Sequence, residues 1–369
     1  MTDVIVVGLG ADGSAAAAHL AARGQTVIGI EAFARGNSLG SSGGLTRVIR
    51  LAYYEHPAYV PLLRRAWVLW RELEGAVGQE LLRQVGGVCI GPREGRLVSG
   101  SRRSAVEHSL AHELLDPAAL RDRLPLFQLD PGWWGVAEES AGFLFPERCI
   151  AAHLSLAERH GASLRFDVPV RRISQDRSGV VIETARETLR ADRAVVTAGA
   201  WNSRLVPQLA ALLHVDRVPL FWFEPKSQHE ELARLPVYII DGDVTRGCYG
   251  FPYLPDQGLK VATLGTGVAC DPDRVDRTTS REDEAPVRQL LRDHLACGDG
   301  DLRASKVCMY TMSPDEHFII GMDGRVVYAS ACSGHGFKFS SVMGEILADL
   351  ATTAKTSHDI GFISRSRFG

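Results

Sequence analysis

The stretch DVIVVGLGADGSAAAAHLAARGQTVIGIEAF, residues 3–33, sets four signals in order. Val4 to Val7 is a short, wholly apolar run that reads as a buried strand, and the glycines Gly8, Gly10 and Gly13 follow it at once. A run of small residues then reads as a helix that packs closely, and a second apolar strand closes at Glu31. Gly8 permits a tight turn, Gly10 lets backbone approach a pyrophosphate, and Gly13 lets the helix lie near the sheet. The helix start turns its positive dipole end toward the phosphates. Glu31, about 20 residues beyond the glycines, is placed to accept hydrogen bonds from the ribose hydroxyls of an adenosine half. Together these parts predict a βαβ unit that binds a dinucleotide.

This unit does not choose between FAD and NAD, but two later segments lean toward FAD. ADRAVVTAGAWNSRLV (191–206) is an apolar strand running into Ala-Gly-Ala and a helix, suited to rejoin the first sheet late in the chain. VVYASACSGHGFKFSSVMGEILADLA (326–351) ends the fold with a strand, a glycine-rich loop and a helix, whose start offers backbone N–H groups to polar ligand atoms. Between these pieces come short strand-like runs, GGVCIGP, VPLFWFE, VYIID, CYGFPYL and LKVATLG, cut by Gly, Pro and Asp. The expected fold class is α/β: a Rossmann-like FAD-binding domain (1–80, 146–212 and 306–369) with an inserted, mostly antiparallel β (α+β) substrate domain (81–145 and 213–305). Residues 271–294 are charged and read as mostly helical.

Composition narrows the function classes. In 369 residues, 45% hydrophobic and 23% charged content fits a soluble globular protein with a large core. A net charge of −3 offers no general attraction to nucleic acid or an anionic membrane. No apolar run reaches the ~18 to 20 residues of a membrane helix, and the opening residues carry no basic segment or cleavage pattern. The expected compartment is the cytoplasm. The cysteines at 89, 149, 248, 270, 297, 308 and 332 are odd in number, scattered and free of any CxxC pair, which argues against a disulfide framework or a metal site.

Six motifs carry a family resemblance: GLGADG, GSSGGLTRVIRLAYYE (40–55), YGFP (249–252), GLK (258–260), VCMYTMSPDEHFII (307–320) and SGHGFKFSS (333–341). From residue 3 to about residue 365 the chain resembles the monomeric sarcosine oxidase and N-methyltryptophan oxidase family, within the FAD-dependent amine oxidases. The resemblance implies FAD joined through sulfur at Cys308, with cofactor contacts from Gly8, Gly10, Gly13, Glu31, Ser41, Arg47, Val168, Gly334, Gly336 and Lys338. It implies a substrate carboxylate clamp of Arg50 and Lys338, and Lys260 as the cation that activates oxygen. Arg47 stands for the arginine that supports the reduced flavin, Tyr249 lies beside the substrate, and Tyr310 and His335 lie near the ring. Ile240, Leu264 and Gly334 complete the substrate side.

The residue types suit these roles. Arginine presents a planar fork that matches a carboxylate, and lysine adds a compact charge. A lysine set between Phe337 and Phe339 would be costly to bury without an anionic partner. A cation by the ring stabilises the charge that develops as oxygen takes its first electron. A thiolate is the nucleophile a thioether requires, and nearby cations favour it.

Departures point to the substrate. Sarcosine oxidases usually read HHGDTR where this chain reads SGGLTR, so two histidines become Ser42 and Gly43 and an aspartate becomes Leu45. Leu264 and Leu51 replace two further histidines, and Ile240 replaces a methionine. The expected enzyme is an FAD-dependent oxidase of secondary amino acids, sarcosine or bulkier N-methyl compounds, that makes an imine and hydrogen peroxide. The alternatives are an oxidase of proline-like or pipecolate-like rings, or a tailoring enzyme that dehydrogenates a cyclic imine or amine acid. A dehydrogenase serving a quinone or protein partner is disfavoured by Lys260, and a non-catalytic nucleotide module has no use for Cys308, Lys338 and Lys260 together. The expected partners are a small secondary amino acid and O2, with no nucleic acid or membrane, and the chain is expected to be a monomer.

Overall fold

The run Val4–Val7 is a buried strand at the centre of a six-stranded sheet. It belongs to a computed structural model that describes residues 2–242, 247–265, 267–330 and 332–369. Among these residues the sheet runs Ile319–Asp323, Val326–Ser330, Arg193–Val196, Val4–Val7, Val27–Ile30, Ser163–Arg165. Five strands are parallel, and Ile319–Asp323 closes one edge antiparallel. A parallel sheet is covered on both faces, so its strands read as apolar runs without alternation. The helix Ala11–Ala22 packs on the helices Pro146–Arg159 and Ser340–Thr353. Its alanines allow the approach: a Cβ at Gly344 would stand 2.4 Å from that of Ala15.

The second large sheet has nine strands among the described residues. Its order is Val268–Ala269, His214–Glu224, Leu259–Thr263, Cys248–Gly250, Val237–Ile240, Gly87–Gly91, Trp134–Glu138, Glu113–Leu115, and Asp301–Met312 also pairs with His214–Glu224. Every pairing is antiparallel except Val237–Ile240 on Gly87–Gly91. The charged segment is helical only over Arg281–His294, where Ser280 and Asp283 form a capping box. The turn formers of the Asp271-Pro272-Asp273 stretch precede that cap and do not join the helix. Asp301–Met312 crosses the expected border at 305/306, and the two-domain division at the stated borders stands as a proposal.

Strand alternation selects the side chains that reach the site. Lys306, Cys308 and Tyr310 share one face of Asp301–Met312, opposite Leu220, Val218 and Asp216. Lys260 pairs with Trp222, and Ala262 with Tyr249. Val218, Leu220, Trp222, Ala262 and Cys308 form one buried cluster, with Tyr249 and Tyr310 packed on it.

Candidate active site

A cavity of about 650 Å³ opens at the C-terminal ends of the parallel strands and is lined by Gly8, Gly10, Glu31, Ser41 and Val168, among others. Gly8 has φ +87°, and a Cβ there would lie 2.6 Å from the Thr197 carbonyl oxygen. At Gly13 a Cβ would stand 1.8 Å from the Gly8 oxygen, which enforces the close turn. At Gly10 it would project into the cavity, with Ser42 Oγ nearest at 3.5 Å. Glu31 accepts hydrogen bonds from the N–H groups of Leu9 (2.9 Å) and Phe33 (3.2 Å) at the cavity wall. Burial raises its pKa, against the pull of the N–H groups of Leu9, Phe33 and Ala32. Ser41 Oγ is buried and finds no hydrogen-bond partner among the described residues. This cradle, with its orphaned hydroxyl and its acid at the ribose end, fits a dinucleotide.

Beyond Ser41 the loop 41–47 meets the large sheet. Arg47 donates from Nη1 to the Thr46 oxygen at 2.9 Å and from Nη2 to the oxygens of Gly43 and of Ser41, the latter at 3.2 Å. The same Nη2 lies 3.6 Å from Cys308 Sγ, and Sγ lies 3.5 Å from the Ser41 oxygen. Burial would lower the Arg47 pKa, but Cys308, Tyr249, Tyr310 and Glu147 outweigh it and keep the guanidinium charged. Lys260, buried between the rings of Trp222 and Phe251, donates to the oxygens of Gly44 (2.8 Å) and Thr46 (2.9 Å). Burial, then the charge of Arg47, pushes its pKa well below the ordinary lysine value. Leu45 adopts φ +64°, a left-handed conformation that costs a non-glycine residue ~1 kcal/mol or more. Glu147 pins that turn by accepting from Gly44 N (2.8 Å) and Leu45 N (3.2 Å).

Arg50 and Lys338 come together behind this loop. Arg50 Nη2 donates to both carboxylate oxygens of Glu55 at 2.7 Å, and Nη1 to the Ala52 oxygen at 3.1 Å. Both partners are buried, and Arg50 Nε has no partner among the described residues. Burial would raise the Glu55 pKa, but Arg50, His335 and Lys338 hold it below the usual carboxylate range. The guanidinium is stacked between Tyr53 and Tyr54, at 4.4 and 4.5 Å. Lys338 Nζ donates to the His335 oxygen at 2.6 Å and lies over the Tyr53 ring. Burial and then Arg50 push its pKa down to about 7, against the opposing pull of Glu55. Gly334, at φ +78°, lets Tyr310 lie close, since a Cβ would sit 3.2 Å from its ring. Gly336 leads the turn Phe337–Phe339 that presents Lys338.

The hydroxyls of Tyr249 and Tyr310 are 3.3 Å apart. Tyr249, Leu264 and Tyr54 pack on Cys89, Leu97 and Ile239, forming an apolar wall. Ile240 stands apart from it: the residue is fully buried on the opposite face of its strand, among Phe221, Tyr238 and Val261. Ile239, one position earlier, pairs with Tyr249 and faces the wall. Leu51 packs on the core around the helices instead. Sequence reasoning also missed Glu55, Glu147, Tyr54 and Lys306. For Lys306 a signal existed, because it lies two positions before Cys308 on one strand.

A glycine cradle for a dinucleotide, with a thiol, an arginine and a buried lysine at its far end, defines a flavin-dependent oxidoreductase. The chain belongs to the FAD dependent oxidoreductase family, whose model matches residues 3–350, and its cofactor is FAD. It is 40% identical to a monomeric sarcosine oxidase of Streptomyces avermitilis, over 99% of this chain and 97% of that one. It is 32% identical to an N-methyl-L-tryptophan oxidase of Yersinia pestis, over 99% of both chains. Among solved structures, NikD, described as an unusual amino acid oxidase essential for nikkomycin biosynthesis, superposes with TM-score 0.85 at 25% identity, covering 98% of this chain and 96% of that one. An L-proline dehydrogenase from P. horikoshii shares the fold at TM-score 0.83 and 20% identity, covering 100% of this chain and 97% of that one. Among the described residues no helix is long and apolar enough to cross a membrane.

Proposed function

We propose that the chain oxidises secondary amino acids, drawing a hydride equivalent from the carbon next to nitrogen and leaving an imine that water hydrolyses. The observation that carries this reading is the pair of buried cations, Arg50 and Lys338, with the orphaned Nε of Arg50 beside them. Glu55 is one anion for two cationic groups, and a substrate carboxylate completes the balance. Bound FAD supplies the two-electron acceptor; Gly8, Gly10, Gly13, Glu31, Ser41, Val168, Gly334 and Gly336 hold it, and Arg47 stands at its ring. Tyr249 and Tyr310 remain protonated, since burial raises both phenols, and they donate hydrogen bonds toward the substrate. Lys260 serves the reaction with O2 that yields hydrogen peroxide.

The position of Cys308 Sγ, beside Arg47 and the Ser41 carbonyl, supports covalent attachment of the flavin. Leu264, Ile239, Leu97 and Tyr54 make the amine side apolar, which favours a bulky N-alkyl or cyclic amino acid over sarcosine. That wall, with the likeness to NikD, also supports a second reading, a tailoring enzyme that dehydrogenates a cyclic imine or amine acid. We take the chain as a monomer, which light scattering tests. Anaerobic flavin bleaching by sarcosine, larger N-methyl amino acids, proline, pipecolate and primary amino acids tests the reaction. Fast bleaching by one secondary amino acid supports it, and bleaching by primary amino acids alone refutes it.

A further inference from the structure

We infer that Lys306 is a positioning residue of the flavin site, a cation that fills the volume of the side chain missing at Gly43 and holds positive charge near the Cys308 sulfur. The inference rests on the covalent attachment proposed above. A Cβ at Gly43 would stand 2.6 Å from Lys306 Nζ and 3.5 Å from Glu147 Oε1, so position 43 and the ammonium compete for one volume. Gly43 and Glu147 both line the dinucleotide cavity, and the ammonium lies next to Gly43, behind that lining. Strand alternation aims Lys306 to the same side as Cys308. The ammonium makes no hydrogen bond or ion pair among the described residues. Burial lowers its pKa, with Arg47 and Arg277 acting the same way, and Glu147 and Cys308 raise it, while the buried Lys260 feels its charge as well. The loop that carries Ser42 and Gly43 thus meets a cation from the neighbouring strand.

The chemistry needs such a charge. Cys308 loses its thiol proton and forms a bond to a methyl carbon of the flavin, which gives up one hydrogen. The two electrons released pass to dioxygen, and with the two protons they leave as hydrogen peroxide. Positive charge near sulfur favours the thiolate, the form that attacks. Arg47 supplies one such charge at 3.6 Å, and Lys306, two positions before Cys308 on the same strand face, adds a second.

The test uses the full chain produced without flavin, given FAD in air and denatured at intervals for intact-mass measurement. The unaltered protein should gain the mass of FAD less two hydrogens. Lys306→Met should gain it about tenfold more slowly at neutral pH, the scale of one neighbouring charge removed from a partly buried site, with the rate profile moved to higher pH. Lys306→Arg should restore most of the rate. Gly43→His alone should be slow, because its side chain collides with the ammonium, and Gly43→His with Lys306→Ala should recover. Equal rates and pH profiles for the unaltered protein and Lys306→Met would overturn the role of Lys306 and leave covalent attachment standing. No mass gain in the unaltered protein would remove covalent attachment and this inference with it.

Discussion

Glu55→Gln removes the carboxylate that Arg50 Nη2 holds at 2.7 Å through both oxygens. Stripping the counter-charge from a buried guanidinium costs about 3 to 5 kcal/mol. At ~2.1 cal/mol/K per residue, a chain of 369 residues unfolds with an entropy of about 0.8 kcal/mol/K, so Tm should fall by about 4 to 6 °C. The folded-state pKa of Glu55 is depressed, so its contribution is present above the unfolded carboxylate pKa and lost as pH falls through the folded value. The deficit of the variant should therefore be fullest at neutral pH and shrink in acid. A small carboxylate bound at the clamp can then supply the missing counter-charge. Acetate at a hundred times its Kd adds about 2.7 kcal/mol, or about 3 °C by the same conversion. The variant should bind acetate more tightly than the unaltered protein, in which the ligand meets the charge of Glu55. Thermal melts followed by calorimetry and by flavin fluorescence, with and without acetate, measure both effects. Equal Tm values and equal acetate shifts in the two proteins would refute the role of Glu55 as the buried counter-charge of Arg50.

Lys260→Met should leave anaerobic flavin reduction nearly intact and slow the oxygen reaction: one charge at ~5 Å and an effective dielectric of ~20 is worth about 3 kcal/mol, roughly two hundredfold. Stopped-flow reoxidation in air reads this, and equal losses in both half-reactions would remove the assigned role. Cys308→Ala should release its flavin to the supernatant on acid precipitation, whereas the unaltered protein keeps the colour; free flavin from both would end the thioether reading. Lys338, with its pKa near 7, is charged in the free protein below that value, and a bound carboxylate favours the charged form. Acetate affinity should therefore be level below about pH 7 and fall above it, with proton uptake on binding; an affinity independent of pH from about 6 to 9 would contradict this. Leu264→His should shift the kcat/KM ratio toward sarcosine, and an unchanged ratio would mean that the position does not read the substrate.

The end of the site that was legible in the sequence is the end that recognises its ligand with backbone. Gly8, Gly10 and Gly13 act through what they lack, and their spacing is read within six residues even though Thr197 and Ser42 supply some of the atoms a Cβ would meet. The acid of Glu31 is fixed by the strand it closes. The substrate end is built from side chains of segments far apart in sequence, and no periodicity relates Glu147 to Gly44, or Lys306 to Gly43. A strand phase is also easily misjudged by one position, and this decides that Ile239 and not Ile240 packs against Tyr249. Glu55 lies only five positions from Arg50, but an acid near an arginine reads equally as a surface pair until its burial is known. The glycine at position 43 was readable as a missing side chain. Its replacement was not, because the lysine enters the same volume from another strand, and a sequence records residues in order while charge balance is kept in space. Substitutions at position 43 should therefore be judged together with those at position 306, since either one alone changes both the charge and the packing around Cys308.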